Sequence, residues 1–141
     1  MKRFFLTRYN SSTLDLALLV IRILVGLTML THGSPKMAKL TSGQGSEFGD
    51  PLNIGPSASL ALTVFAEFIC SVLIIIGLGT RLAVVPLIVT MMVAAFVVHQ
   101  ADGFKQQELA ILYLMVYFIL FVAGSGKYSL DRQIEKSWNK L

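Results

Sequence analysis

Four apolar stretches of close to twenty residues each sit within 141 residues, and nothing else in the sequence limits the fold as severely. They run from about Leu14 to Thr31, Ser57 to Leu78, Leu82 to Val98 and Gln107 to Ala123. The hydrocarbon core of a bilayer is about 30 Å thick, and about 20 residues of α-helix cross it. Lipid offers the backbone no partners, so a spanning segment must satisfy its own N–H and C=O groups, as a helix does. The expectation is an all-α integral membrane protein. Four transmembrane helices, at 14–31, 57–78, 82–98 and 107–123, form one bundle in a single membrane domain over 1–141.

The composition agrees with that solvent. Hydrophobic residues make up 55% and charged residues only 14%, whereas a soluble domain is nearer a quarter charged. The net charge of +4 does not point to nucleic acid, because the basic residues are not gathered on one face beside aromatic platforms. The single cysteine, Cys70, rules out an internal disulfide or a CxxC relay within the chain.

Lys and Arg set the orientation. Lys2, Arg3, Arg8, Arg81, Lys127, Arg132, Lys136 and Lys140 fall on one side, against Lys36, Lys39 and Lys105 on the other. Both termini are therefore expected in the cytoplasm of a bacterial inner membrane. A long loop over His32–Pro56 and a short one over His99–Gln106 would face outward. The basic start "MKRFFLTR" resembles a signal peptide. Arg22 interrupts the run that follows and no small-residue cleavage site succeeds it, so the first segment is read as retained. After the fourth segment, Leu130, Ile134, Trp138 and Leu141 share one helical face and Arg132, Lys136 and Lys140 another. That pattern predicts a short interfacial helix over about 129–141, with Trp138 as an anchor.

Two charges interrupt the apolar runs. Glu67 lies about 15 Å below Ser57, and Arg22 about 14 Å below Thr31 if the helix ends there. At equal depth on antiparallel neighbours, they are expected to form an ion pair, since intramembrane charges turn inward and pair. Gly26 and Ser71, one turn along from each, would let the backbones approach. The pair has two readings: a device that fixes helix packing, or a site for a proton, ion or ligand.

His32, His99 and Glu108 fall at helix ends on the outward side and form a second polar group. Two imidazoles and a carboxylate can bind zinc or copper or exchange protons. Equally, polar residues mark helix ends, and Glu108 suits a helix N-terminus. No spacing enforces ligand geometry, so no metal is predicted. Glu67 is expected about three turns below this layer, outside any shared coordination shell. Cys70 reads more readily as a small hydrophobe than as a redox thiol. Tyr113 and Tyr117, on one face of the last segment, read as packing before quinone contact. Pro86 is expected to bend the third helix. "GLGT" and "GSGK" lack phosphate-loop spacing.

Taken together, "RILVGLTMLTHGSPKM", "AEFICSVLIIIGLGTR", "MVAAFVVH", "ELAILYL" and "GSGKYSLD" resemble the DoxX family of small bacterial membrane proteins, over nearly all of Leu16–Asp131. The resemblance implies a four-helix inner-membrane protein. Some relatives are associated with thiosulfate–quinone oxidoreductases and others with membrane complexes of redox-defence enzymes. Arg22, His32, Glu67, His99 and Glu108 are typical of the family, which assigns them no catalytic role. The favoured reading is a non-catalytic membrane subunit or scaffold of a quinone-linked or oxidative-stress redox complex. It would have no cofactor of its own and would reach quinone only through a partner. Its expected partners are the bilayer and a redox enzyme or further copies of itself. The alternative is a small oligomeric transporter or channel for a proton, ion or small solute. An enzyme acting on quinone or lipid is disfavoured, because no nucleophile–base constellation stands out.

Overall fold

The computed structural model describes residues 10–138, and the described chain is helical between short turns. Helix α1 runs Ser11–Thr41. A 3-10 turn at Gln44–Glu47 and an irregular loop lead to α2, Pro56–Ile76. Helix α3 covers Thr80–Val98, α4 Phe104–Ala123 and α5 Leu130–Trp138. The first four are each long and apolar enough to cross a membrane, as the four apolar segments predict. Residues 1–9 and 139–141 lie outside the described residues. So do four of the charges used for orientation (Lys2, Arg3, Arg8 and Lys140) and Leu141 of the expected interfacial helix.

The largest departure is the length of α1. It continues about ten residues past Thr31, through Pro35, and absorbs half of the expected outward loop. "HGSPK" reads as a break, because proline removes a donor and crowds the preceding turn. The helix nonetheless runs on, with hydroxyl bonds on either side of the Thr31 carbonyl that Pro35 leaves without its helical donor: Thr31 Oγ1 donates to Thr28 O, and Ser34 Oγ donates to Leu30 O at 2.6 Å. Lys36 and Lys39 thus belong to the helix rather than to the loop.

Antiparallel α1 and α2 pack closely, and small residues set their register. A Cβ on Gly33 would lie 2.8 Å from the carbonyl carbon of Glu67, and one on Gly26 3.2 Å from Ser71 O. A Cβ on Gly77 would meet the Arg22 guanidinium at 2.9 Å. Level with Glu67, then, is Gly33. Arg22 lies about 16 Å further along α1, level with the end of α2. Helix α2 widens into a π-helical stretch at Phe65–Cys70, and α3 ends in another at Ala94–Val98. Between the two ends of the bundle, Met29, Cys70, Ile74, Val84, Leu87, Tyr117 and Leu120 form a core at most 1% exposed. The loop after α1 is tied down by Asp50, which accepts from Ser59 Oγ and Gly55 N at 2.7 Å and Ile54 N at 3.1 Å. Pro51, Leu52 and Ile54 line a small recess with α2 and α3 residues.

Candidate functional site

The expected Arg22–Glu67 ion pair does not form. Arg22 is 1% exposed, and its hydrogen bonds among the described residues all go to main chain. Its Nε donates to Ile74 O at 3.1 Å, Nη2 to Tyr128 O at 2.9 Å and Ile75 O at 3.4 Å, and Nη1 to Ser125 O. Ile74 and Ile75 lie in the last turn of α2, where carbonyls lack their i+4 donors and the helix dipole is negative; Ile74 O also accepts from Gly77 N at 3.1 Å. Gly77, left-handed at φ 71°, turns the chain there, and Arg22 fills the socket. Asp131 completes the clasp. Its carboxylate accepts from Gly79 N at 2.7 Å and Thr80 N at 3.2 Å, capping α3, while its own N–H donates to Gly77 O. Asp15 Oδ1 accepts from Lys127 N at 2.9 Å. "GLGT" and "GSGKYSLD" are thus two halves of one main-chain joint that fixes α5 to the bundle.

Glu67 pairs with Lys36 instead. Nζ lies 2.6 Å from Oε1 and 2.5 Å from Oε2. The carboxylate side chain is 4% exposed and the lysine 29%. Once α1 is extended through Pro35, the pairing follows from helical spacing. Arg22, Gly26, Met29, Gly33 and Lys36 recur at intervals of three and four, so they form one stripe facing the bundle. Stopping the helix at Thr31 hides this, and it also centres Arg22 in a span whose inward face runs on for more than three turns.

Lys36 and Glu67 line a cleft of about 210 Å³ with His32, His99, Gln106 and Tyr113, flanked by Met29 and Met91. The expected separation of Glu67 from the histidine layer is therefore corrected. His32 adjoins Gly33, which touches the Glu67 backbone, so the imidazole is level with the carboxylate. The Tyr113 ring meets His32 edge-on at 6.1 Å and stacks on Tyr117 at 5.9 Å. His99 closes the far end, with Nδ1 2.8 Å from Asp102 Oδ2. Asp102 was missed in the sequence, although its i,i+3 spacing from His99 is visible there. Glu108 is exposed on α4 and does not line the cleft. The three metal candidates are thus not brought together. Among the described residues no group of three His, Cys, Asp or Glu is placed to hold a metal ion.

Buried hydroxyls continue the polar character below the pair. Ser71 Oγ and Tyr117 OH have no hydrogen-bond partner among the described residues. The Lys36 ammonium, the Glu67 carboxylate, two imidazoles and a phenol thus converge on one cavity beside a π-helical stretch, a geometry frequent at functional sites. They can donate to and accept from a small polar guest. Below it lies the packed layer of Met29, Ile74, Tyr117 and Leu120, and then the Arg22 clasp.

A bundle of four membrane-length helices, with a polar cleft at one end and a main-chain joint at the other, defines a small multi-pass membrane protein. The chain belongs to the DoxX family, whose profile matches residues 17–100. It is 31% identical over 145 residues to an uncharacterized membrane protein of Mycobacterium tuberculosis, covering 85% of this chain and 82% of that one. An uncharacterized protein of Haemophilus influenzae is 31% identical over 127 residues, covering 82% and 89%. No solved structure matches the chain.

Proposed function

We propose that this DoxX-family protein is a non-catalytic membrane subunit of a redox complex in a bacterial inner membrane, with both termini cytoplasmic and the cleft facing outward. The observation that carries the reading is that the cleft has one open end. A conduit needs polar access from both sides, whereas here a packed layer of mainly apolar side chains and the Arg22 clasp lie beneath the Lys36–Glu67 pair. Such a site receives something and holds it. The imidazoles, the ammonium–carboxylate pair and the Tyr113 ring suit a small ring bearing hydroxyl or carbonyl groups, such as a quinone head supplied through a partner enzyme. Purification of the full chain from its own membranes in mild detergent tests this. A stoichiometric oxidoreductase that travels with it is the expected result. A lone oligomer that passes protons when placed in liposomes would overturn the reading in favour of a small transporter. That alternative draws on the unpartnered Ser71 and Tyr117 hydroxyls below the pair.

A further inference from the structure

The clasp end carries a second site, unconnected with the cleft. An apolar groove of about 630 Å³ runs between α2 and α3 beneath α5, lined chiefly by Phe65, Leu73, Leu78, Leu82, Pro86 and Trp138. It opens to the side that lipid would bathe, since Leu82 is 79% exposed and Trp138 74%. From Phe65 to the end of α2 at Ile76 it follows the helix for about 16 Å. That exceeds the roughly 15 Å hydrocarbon depth of one leaflet. At its α5 end the groove meets a polar pocket of about 320 Å³ containing Thr80, Arg81 and Ser125. Gly79, Leu82 and Asp131 belong to both.

Arg81 is the group in the polar pocket that can hold an anion. The pocket lies at the N-terminus of α3, whose Gly79 and Thr80 N–H groups are already taken by the Asp131 carboxylate. Arg81 gives one N–H to Val122 O at 3.2 Å, and its other donors are free among the described residues. Thr80 is 1% exposed, and its Oγ1 has no partner among the described residues. A buried hydroxyl without a partner is costly, and a phosphate oxygen would supply one. Two carboxylates stand on the same rim: Glu135 on the groove side, and Asp131 where groove and polar pocket meet. Asp131 is held by the Gly79 and Thr80 N–H groups, and Glu135 by Arg132 at 2.7 Å. An acyl-length groove, a guanidinium and a carboxylate rim, in that continuity, match a zwitterionic amphiphile.

We propose that this composite site binds one amine-bearing glycerophospholipid of the phosphatidylethanolamine type. One acyl chain lies in the groove, the phosphate on Arg81 and the Thr80 hydroxyl, and the ammonium against Asp131 and Glu135. The bidentate guanidinium–phosphate contact fixes the head, and the tail adds the apolar contact with Leu78, Leu82 and Trp138. Bound there, the lipid would bridge α2, α3 and α5 and brace the joint from outside.

Native mass spectrometry of the full chain, released from mild detergent, tests the proposal with three probes: phosphatidylethanolamine, phosphatidylglycerol and inorganic phosphate. Wild type is expected to retain one phosphatidylethanolamine, at least tenfold more tightly than phosphatidylglycerol. Arg81→Gln should lower that retention about tenfold in protein that still folds, with the thermal unfolding midpoint falling as the bracing lipid is lost. Equal retention of the two lipids would overturn the head assignment whether or not the variant folds. Binding of inorganic phosphate that lipid does not displace would show a free-anion site and overturn the lipid. Unaltered retention by a folded Arg81→Gln would overturn the site itself.

Discussion

Arg22 and Lys36 lie on one stripe of α1, about 21 Å apart along its axis, and each carries a cation into the bundle. What they meet is opposite in kind. Arg22 is held by carbonyls from the end of α2 and the loop before α5, all fixed by backbone geometry. Those acceptors neither titrate nor rotate away, so the contact is a lock. Lys36 meets a carboxylate beside a cavity and keeps part of its side chain exposed. Either partner can let go of the other and take a guest. The same charge class therefore serves assembly at one end and has a candidate binding role at the other, and the difference lies in whether the partner is main chain or side chain.

The largest expected effect tests the lock. Arg22→Lys keeps the charge but loses the planar fork that reaches two segments at once. Hydrogen bonds to charged groups contribute roughly 1.5–3 kcal/mol each. Losing two should cost about 3–6 kcal/mol, read as collapse of folded yield in detergent. A variant as stable as wild type would show that the carbonyl socket is incidental.

Next comes the contact that sets the register. Gly33→Ala would drive a methyl to 2.8 Å from the Glu67 carbonyl carbon, against backbone that cannot swing aside. Overpacking of this kind costs about 1–3 kcal/mol. Because the strain falls on the π-helical stretch, it should also disturb the Lys36–Glu67 distance. A spectroscopic distance between labels on α1 and α2 at the cleft end should lengthen, while one at the clasp end stays fixed. Equal change at both ends would dissolve the distinction between the regions.

Smaller and asymmetric effects are expected for the pair itself. Glu67→Gln frees Lys36, which is already partly exposed and can turn to water, so the loss should be about 1 kcal/mol. Lys36→Met strands a carboxylate that is 4% exposed and should cost more, about 3 kcal/mol. Thermal unfolding of both single variants and the double variant closes the cycle. The double variant should be less damaged than Lys36→Met alone. Equal losses for the two singles would mean that Lys36 is no freer than Arg22.

Much of the architecture was legible because lipid makes length and hydropathy decisive: four apolar segments became four helices, with ends shifted by only a few residues for α2 to α4. Glu67, expected level with Arg22, lies level with Gly33 instead. What misled was Pro35, which reads as an end but sits inside α1, with hydroxyl-to-carbonyl bonds flanking it. That one boundary moved Arg22 to the end of the bundle and turned Lys36 from a loop residue into the partner of Glu67. Arg22's true partners could not have been read in any case, because carbonyl oxygens carry no side-chain signature. The histidines were found but not their depth, which depends on the register that Gly33 sets.

The smallest expected effect concerns a third charge, which separates hydrogen bonding from burial. Asp50 accepts three hydrogen bonds in the loop after α1, as many as a well-held buried carboxylate, yet it is only half-buried. The Ser59 hydroxyl, followed by the Gly55 and Ile54 N–H groups, holds its carboxyl below the ordinary aspartate value. A depressed folded pKa contributes order above the unfolded value, near 4, and that contribution fades as the pH falls through the lower folded value. Amide exchange at Ile54 and Gly55, corrected for intrinsic rates, should therefore accelerate below about pH 4, while the amides of α2 beyond Leu60 do not change. Asp50→Asn should show the faster exchange at every pH. Protection at Gly55 that ignores pH would mean that the loop is held by Pro51, Leu52 and Ile54 against α2 and α3. Burial, rather than the number of hydrogen bonds, would then separate a charge that organises its surroundings from one that only decorates them.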